Sequence, residues 1–189
     1  PRRKDRYGGY HSNDPLCDRH KQRGYLHEDF RLFHLEEAMT APVDWHYHTF
    51  HKIIAFLSGS ASYGIEGKSY VLEAGDLILV PSGCIHRPEI APGAPYERII
   101  LYISPEFLRT AGTPDCDLEA CFTKAQAEFM FVLRPGAERR ALLGALLALE
   151  REQPSQAFGK ALLERVLVLQ FLIGVRRGME ENRLEAIRS

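Results

Sequence analysis

The stretch Gly75-Asp76-Leu77-Ile78-Leu79-Val80-Pro81-Ser82-Gly83-Cys84-Ile85-His86 decides the fold. Leu77, Ile78, Leu79 and Val80 are entered from a glycine turn and left through Pro81-Ser82-Gly83. A short strand therefore runs into a tight turn that delivers His86 on its far side. Written as a pattern, the stretch is G-x5-P-x-G-x2-H. The punctuation continues upstream, where Gly59, Gly67, Gly75 and Gly83 fall eight residues apart. Hairpins of short strands have this cadence and helices do not. Strands are expected over 52–58, 60–66, 69–72 and 77–80, with Glu66-Gly67-Lys68 as a turn. Ala61, Tyr63 and Ile65 alternate as a half-buried strand requires.

Outward from this core, 30–36 reads as a further strand. A proline-rich loop over 87–95 leads to another at 96–104, where Ile99, Leu101 and Ile103 alternate with Arg98, Ile100 and Tyr102. After Pro105 the period changes. Residues 115–131 read as partly helical, with Asp115 or Asp117 as cap. Residues 137–153, rich in Ala, Leu, Glu and Arg, lie between Pro135 and Pro154 as a helix prefers. Ser155 is expected to cap the last helix. That helix carries two apolar stripes, one through Phe158, Leu162, Val166, Leu169 and Ile173, the other through Leu163, Leu167, Phe171 and Leu172. Two stripes need two partners, so one covers the β part and the other meets 137–153 or a second subunit. The fold class is mainly β, a sandwich or barrel followed by C-terminal helices. Residues 1–25, polar and without a period, read as an N-terminal arm, 26–110 as the barrel and 111–189 as the helical segment.

At 189 residues, 45% hydrophobic and 26% charged, the chain has the composition of one globular domain with an appended helical element. Its longest apolar run, 166–175, is broken by Gln170 and Gly174 and is too short to span a bilayer. No signal peptide is recognisable, and a cytoplasmic location is expected. The net charge of −1 hides a partition. Residues 1–23 hold seven Lys/Arg against three Asp/Glu, residues 24–134 eight against fifteen, and residues 135–189 nine against seven. An acidic middle segment repels phosphate, so the barrel is not expected to grip nucleic acid. The four cysteines, Cys17, Cys84, Cys116 and Cys121, are too few and too irregularly spaced for a disulfide framework and read as thiols. No G-x-S-x-G, Walker lysine or phosphate-binding glycine loop occurs.

The chemistry lies in histidines. Of eight, His46, His48, His51 and His86 fall in the β segment close to turns. His46 and His48 are two apart on an extended chain, so they share a face.

His46-Tyr47-His48 with Gly59, followed by G-x5-P-x-G-x2-H, resembles the two motifs of the cupin superfamily over residues 44–90. That resemblance implies a jelly-roll barrel in which the two histidines of the first motif, a glutamate four residues later and the histidine of the second motif bind one metal. Here Lys52 stands at the glutamate position, and Ile90 where an asparagine is often found. The wider layout is similar to the N-terminal sensing domain of AraC-type transcription regulators over roughly 26–180. It includes Ser58-Gly59-Ser60, Ile65-Glu66-Gly67-Lys68, Tyr96-Glu97-Arg98-Ile99, Ser104-Pro105-Glu106-Phe107-Leu108 and two closing helices. The likeness implies a barrel that binds a small effector, an arm able to fold over the pocket, and helices that mediate homodimerisation. DNA would then be bound by a C-terminal domain expected to lie beyond this chain, and no catalysis is expected.

Three readings of the histidines stay open. His46, His48 and His86, completed by His51 or water, hold a divalent ion such as Zn, Ni or Fe. Alternatively, the same groups with Lys52, Tyr63 and Arg98 bind a polar or anionic effector, Lys52 favouring an anion. In the third they are hydrogen-bonded residues of the fold. The rival function is a standalone metal-dependent cupin enzyme, an oxygenase or isomerase, with Glu97 as the one candidate proton carrier. Cys17, His20 and His11 form a weaker metal candidate, and Arg2, Arg3, Lys4 and Arg6 a basic cluster best read as solvated.

Overall fold

The computed structural model describes residues 21–39 and 41–189. The expectations for Arg2, Arg3, Lys4, Arg6, His11, Cys17 and His20, and most of the arm, lie outside the described residues. Among the described residues, eleven strands and four α-helices follow in the order β1 (Lys21–Gln22), β2 (Phe30–Glu36), β3 (His46–Tyr47), β4 (His51–Gly59), β5 (Ser62–Ile65), β6 (Lys68–Val71), β7 (Leu77–Val80), β8 (His86–Glu89), β9 (Tyr96–Ile103), α1 (Pro105–Ala111), α2 (Ala120–Glu128), β10 (Val132–Arg134), α3 (Arg139–Glu152), α4 (Lys160–Glu180) and β11 (Glu185–Ala186). The strands form two sheets, one ordered β1-β3-β8-β5-β6 and the other β11-β10-β7-β4-β9-β2. All pairings are antiparallel except that of β1 with β3.

Register fixes what each sheet presents. In the larger sheet Lys52 pairs with Tyr102, Ile54 with Ile100 and Phe56 with Arg98, while Leu35 and Phe33 of β2 stand opposite Arg98 and Ile100. Cross-strand partners share a face, so these residues line the side turned toward the smaller sheet. The intervening set, His51, Ile53 and Ala55 with Ile103, Leu101 and Ile99, occupies the opposite face. Helices cover that opposite face. Phe107 of α1 meets Phe30 at 5.5 Å between ring centroids, Phe122 of α2 stacks on His51 at 4.1 Å, and Gln153 after α3 donates to the Leu32 carbonyl at 3.3 Å. The core is therefore in two layers, one between the sheets and one between the larger sheet and the helices.

Glycine is required at the turns that set this geometry. Gly59 has φ +116°, and a Cβ there would lie 2.1 Å from the Pro95 carbonyl oxygen. Gly83, φ +84°, makes the turn before His86. The turn into β7 is fastened by Asp76, whose buried carboxylate accepts from Arg134 Nε and Nη2 at 2.9 and 3.0 Å and from the Glu73 backbone N–H at 2.8 Å.

The helical segment departs from expectation in three places. A short helix, α1, follows β9 directly, with Ser104 as its cap accepting from the Phe107 N–H. Between α2 and α3 the chain returns to the larger sheet as β10, where Val132 pairs with Ile78. The last helix begins at Lys160 after the left-handed Gly159 (φ +77°). Ser155 caps nothing beyond its own turn, its hydroxyl accepting from the Ala157 N–H. Phe158 thus precedes the helix and is exposed, as are Leu162, Leu163 and Val166 in its first turns. Farther along, Val168, Phe171, Leu172 and Val175 are buried. No described helix is long and apolar enough to cross a membrane.

Candidate functional site

Three histidines converge between the sheets. His46 of β3 pairs directly with His86 of β8, and His48 follows β3 on the same side. Ring centroids are 4.4 Å apart for His46 and His86, 4.9 Å for His48 and His86, and 5.0 Å for His46 and His48. One ligand nitrogen from each lies within 4.8 Å of the other two. The tautomers follow from the partners. His46 Nδ1 faces the Asp44 carbonyl at 2.8 Å, His86 Nδ1 faces the Cys84 carbonyl at 2.9 Å, and His48 Nδ1 faces the Arg23 carbonyl. A carbonyl oxygen only accepts, so each Nδ1 carries the proton and each Nε2 presents a lone pair. Nε2 of His48 and of His86 is buried without a partner among the described residues. Burial holds His46 down to about 4 and His48 to about 3, with smaller contributions from the Lys52 charge, and it pushes His86 well below its ordinary range. All three are neutral at pH 7, the form that ligates metal. Carbonyl-oriented, neutral, buried imidazoles with orphaned Nε2 atoms fit a divalent ion, and each backbone carbonyl serves as the outer partner that fixes a ligand ring.

His51 does not join them. Its Nδ1 accepts the Ser82 N–H at 3.0 Å, its Nε2 donates to Glu119 at 3.2 Å, and its ring stacks on Phe122. With both nitrogens engaged on the helix side of β4, it offers no lone pair to the trio. This corrects the expectation that His51 completes a metal site. The strand itself held the signal, because His51 and Lys52 are consecutive and must face opposite sides.

Beside the trio lies a cavity of about 340 Å³. Lys52, Tyr63 and Arg98, the residues expected at an effector, all line it, together with Tyr96 and Tyr102. Lys52 and Arg98 are only 7% and 6% exposed. Lys52 Nζ donates to Tyr63 Oη at 3.3 Å, and Arg98 Nη1 donates to the Tyr96 carbonyl at 2.9 Å. Burial, with the nearby Arg98 and Arg23 charges, lowers Lys52 to about 7, while burial raises Tyr63 well above its ordinary value. Glu97 points the other way, accepting from Ser58 Oγ at 2.9 Å and pairing with His34 at 3.0 Å. Its place on β9 beside Arg98 puts it on the opposite face, outside the cavity.

Two participants escaped the sequence reading. Arg23 contributes its carbonyl to His48 and lines the cavity, and Glu37 Oε1 lies 3.5 Å from Arg98 Nη2. Neither carries a motif. Tyr102 could have been found by strand parity, since it shares a face with Arg98 and Ile100. Trp45 lies outside the cavity lining, covering Gly64 so closely that a Cβ there would meet its ring at 2.5 Å, with the Arg87 guanidinium 4.6 Å from the ring.

Two facing sheets with inward histidines from a paired H-x-H and G-x5-P-x-G-x2-H define a cupin-like barrel. The chain belongs to the family of AraC-like ligand binding domains, whose model matches residues 33–172. No curated protein sequence matches it. Among solved structures it is similar to a cupin-like protein from Thermotoga maritima, at 21% identity and TM-score 0.37, over 42% of this chain and 60% of that one. It is also similar to the polyketide cyclase RemF from Streptomyces resistomycificus, at 22% identity and TM-score 0.36, over 39% and 54% of the two chains. A third is a putative mannose-6-phosphate isomerase from Ralstonia eutropha, at 22% identity and TM-score 0.36, over 44% and 82%. The matched region spans less than two thirds of the first two of these proteins.

Proposed function

We propose that the chain is the effector-sensing and dimerisation domain of a cytoplasmic AraC-type transcription regulator. It binds a small molecule in the cavity between the sheets, beside a divalent ion on His46, His48 and His86. The observation that carries this reading is the cavity itself, whose wall combines His46 and His48 of the oriented trio with buried Lys52, Tyr63 and Arg98 within an AraC-like ligand binding domain. When bound, the ion supplies a Lewis-acidic position in the wall. Imidazole donors do not choose among Zn, Ni and Fe. The protein's own groups orient the effector: Lys52 and Arg98 donate, and Tyr63 accepts from Lys52.

Sensing rather than turnover is supported by the match to the AraC-like ligand binding family. Homodimerisation through α4 is supported by the exposed Phe158, Leu162, Leu163 and Val166. DNA contact is assigned to a separate C-terminal domain. Output then requires that the effector favour one of two arrangements of the dimer.

Thermal-shift titration against a panel of sugars, amines and carboxylic acids, with metal content measured by mass spectrometry, tests the binding part. A panel member should raise Tm in a concentration-dependent way. Turnover of a panel member by metal-loaded protein would favour the cupin-enzyme alternative instead. The coding sequence downstream of Ser189 tests the regulator part, which requires two helix-turn-helix patterns with a basic balance.

A further inference from the structure

The cavity is charged asymmetrically. Lys52 and Arg98 are buried in its wall and Arg23 also lines it, while no Asp or Glu is among its described lining residues. Lys52 has three N–H donors, and its one hydrogen bond with a described group is to Tyr63 Oη at 3.3 Å. Buried N–H donors without acceptors are costly, and an arriving anion satisfies them and favours the ammonium form of Lys52. Arg98 already shows what acceptor it takes. The Glu37 carboxylate, itself mostly exposed, reaches to 3.5 Å from Nη2, just beyond hydrogen-bond length. Part of the wall is apolar, with Leu35, Val43, Ile54 and Ile100 among its residues.

We propose that the effector is a small monocarboxylic acid with an apolar body, its carboxylate seated between Lys52 and Arg98 and its body against Leu35, Val43, Ile54 and Ile100. This deepens the ligand-sensing reading and rests on it. A planar carboxylate suits the guanidinium fork and the ammonium together, and charge-assisted hydrogen bonds are stronger inside a cavity than in water. The volume of about 340 Å³ lies at the small end of ligand pockets, which sets the size of the body. Glu37 is then a resident competitor: the incoming carboxylate takes over its place at Arg98, and the segment after β2 that carries Glu37 loses one of its ties to the barrel. Effector binding thereby acquires a mechanical consequence.

The test uses 3-phenylpropionate and its neutral amide as probes, titrated calorimetrically into wild type, Arg98→Gln, Lys52→Met and Glu37→Gln, with thermal unfolding of each variant as a folding check. The acid should bind at least roughly 10-fold tighter than the amide. Arg98→Gln and Lys52→Met should each remove most of that preference, and Glu37→Gln should tighten the acid several-fold by removing its competitor. Glu37→Gln leaves both cations in place, so it keeps the test decisive if either cation variant misfolds. Equal binding of acid and amide, or unaltered or weaker acid binding in Glu37→Gln, overturns the proposal. So does acid binding that chelation abolishes and Arg98→Gln leaves unchanged, because the carboxylate would then sit on a metal. If neither probe binds but a neutral sugar or amine does, the proposal fails and ligand sensing stands. If no panel member binds, both fail.

Discussion

His51 and Lys52, neighbours on β4, work on opposite sides of one sheet: the imidazole stacks on Phe122 at 4.1 Å among the helices, while the ammonium enters the cavity and reaches Tyr63 at 3.3 Å. One residue joins the barrel to its helices and the next meets the ligand. Their substitutions should therefore separate. His51→Ala removes a stacked ring and two hydrogen bonds, and should lower stability by about 2 to 3 kcal/mol. Urea denaturation measures this. Metal and probe affinities should stay within about twofold of wild type, and a large loss of either would place His51 in the site after all.

Lys52→Glu tests the other member of the pair. The change removes a buried positive charge beside three neutral imidazoles and supplies an acidic ligand at the position where metal-binding cupins have glutamate. Zinc affinity, measured by competition with a chromogenic chelator, should rise by on the order of 10-fold or more. Carboxylic acid binding should fall in the same variant. Unchanged zinc affinity would mean that the trio is not the metal centre.

His34 makes stability pH-dependent. Its Nε2 pairs with Glu97 at 3.0 Å and its Nδ1 with Glu150 at 2.7 Å, so one imidazole ties the sheet to α3. Partial burial pulls its pKa down, but the two carboxylates outweigh that and raise it above 6.5. A raised folded pKa means that the stabilisation is complete below the unfolded pKa of 6.5 and disappears as pH rises through the folded value. The stability difference between wild type and His34→Gln, followed by urea unfolding from pH 5.5 to 8.5, should therefore be largest at the acidic end and shrink toward pH 8.5. A difference that grows with pH would reverse the assignment.

Leu162→Glu puts a charge in the exposed apolar patch formed with Phe158, Leu163 and Val166. If this patch joins two copies, sedimentation should show a dimer in wild type and a dimerisation constant weakened by about 10-fold or more in the variant, with Tm little changed at monomer concentrations. A wild-type protein that stays monomeric at high concentration would remove dimerisation through α4.

Glycine-bounded strands were legible because their signal is local. β2 and β7 could be read at their observed limits, and His46 with His86 followed from residue parity and one turn motif. Legibility ends where structure depends on distant partners. β10 spans Val132–Arg134, too short to show a period, and is a strand because Val132 finds Ile78. The start of α4 was misplaced because Ser155 satisfies a strong local cap preference, yet the chain enters the helix only after the left-handed Gly159. Glu37 and Arg23 approach the site through contacts of long sequence separation, which no local pattern encodes. His51 was misassigned because clustering along the sequence was weighed above strand alternation.

The carbonyl of Arg23 ties the site to the chain's beginning. Arg23 directly follows β1, a two-residue strand laid parallel along β3, and this one peptide group sets the tautomer of His48. Peeling β1 away would free the His48 ring to rotate and to move its proton to Nε2, leaving the trio with one lone pair fewer. Linkage makes the effect mutual. An ion or ligand that holds His48 in place acts as a latch on the first strand, and tension applied to that strand acts as a release on whatever the three imidazoles hold.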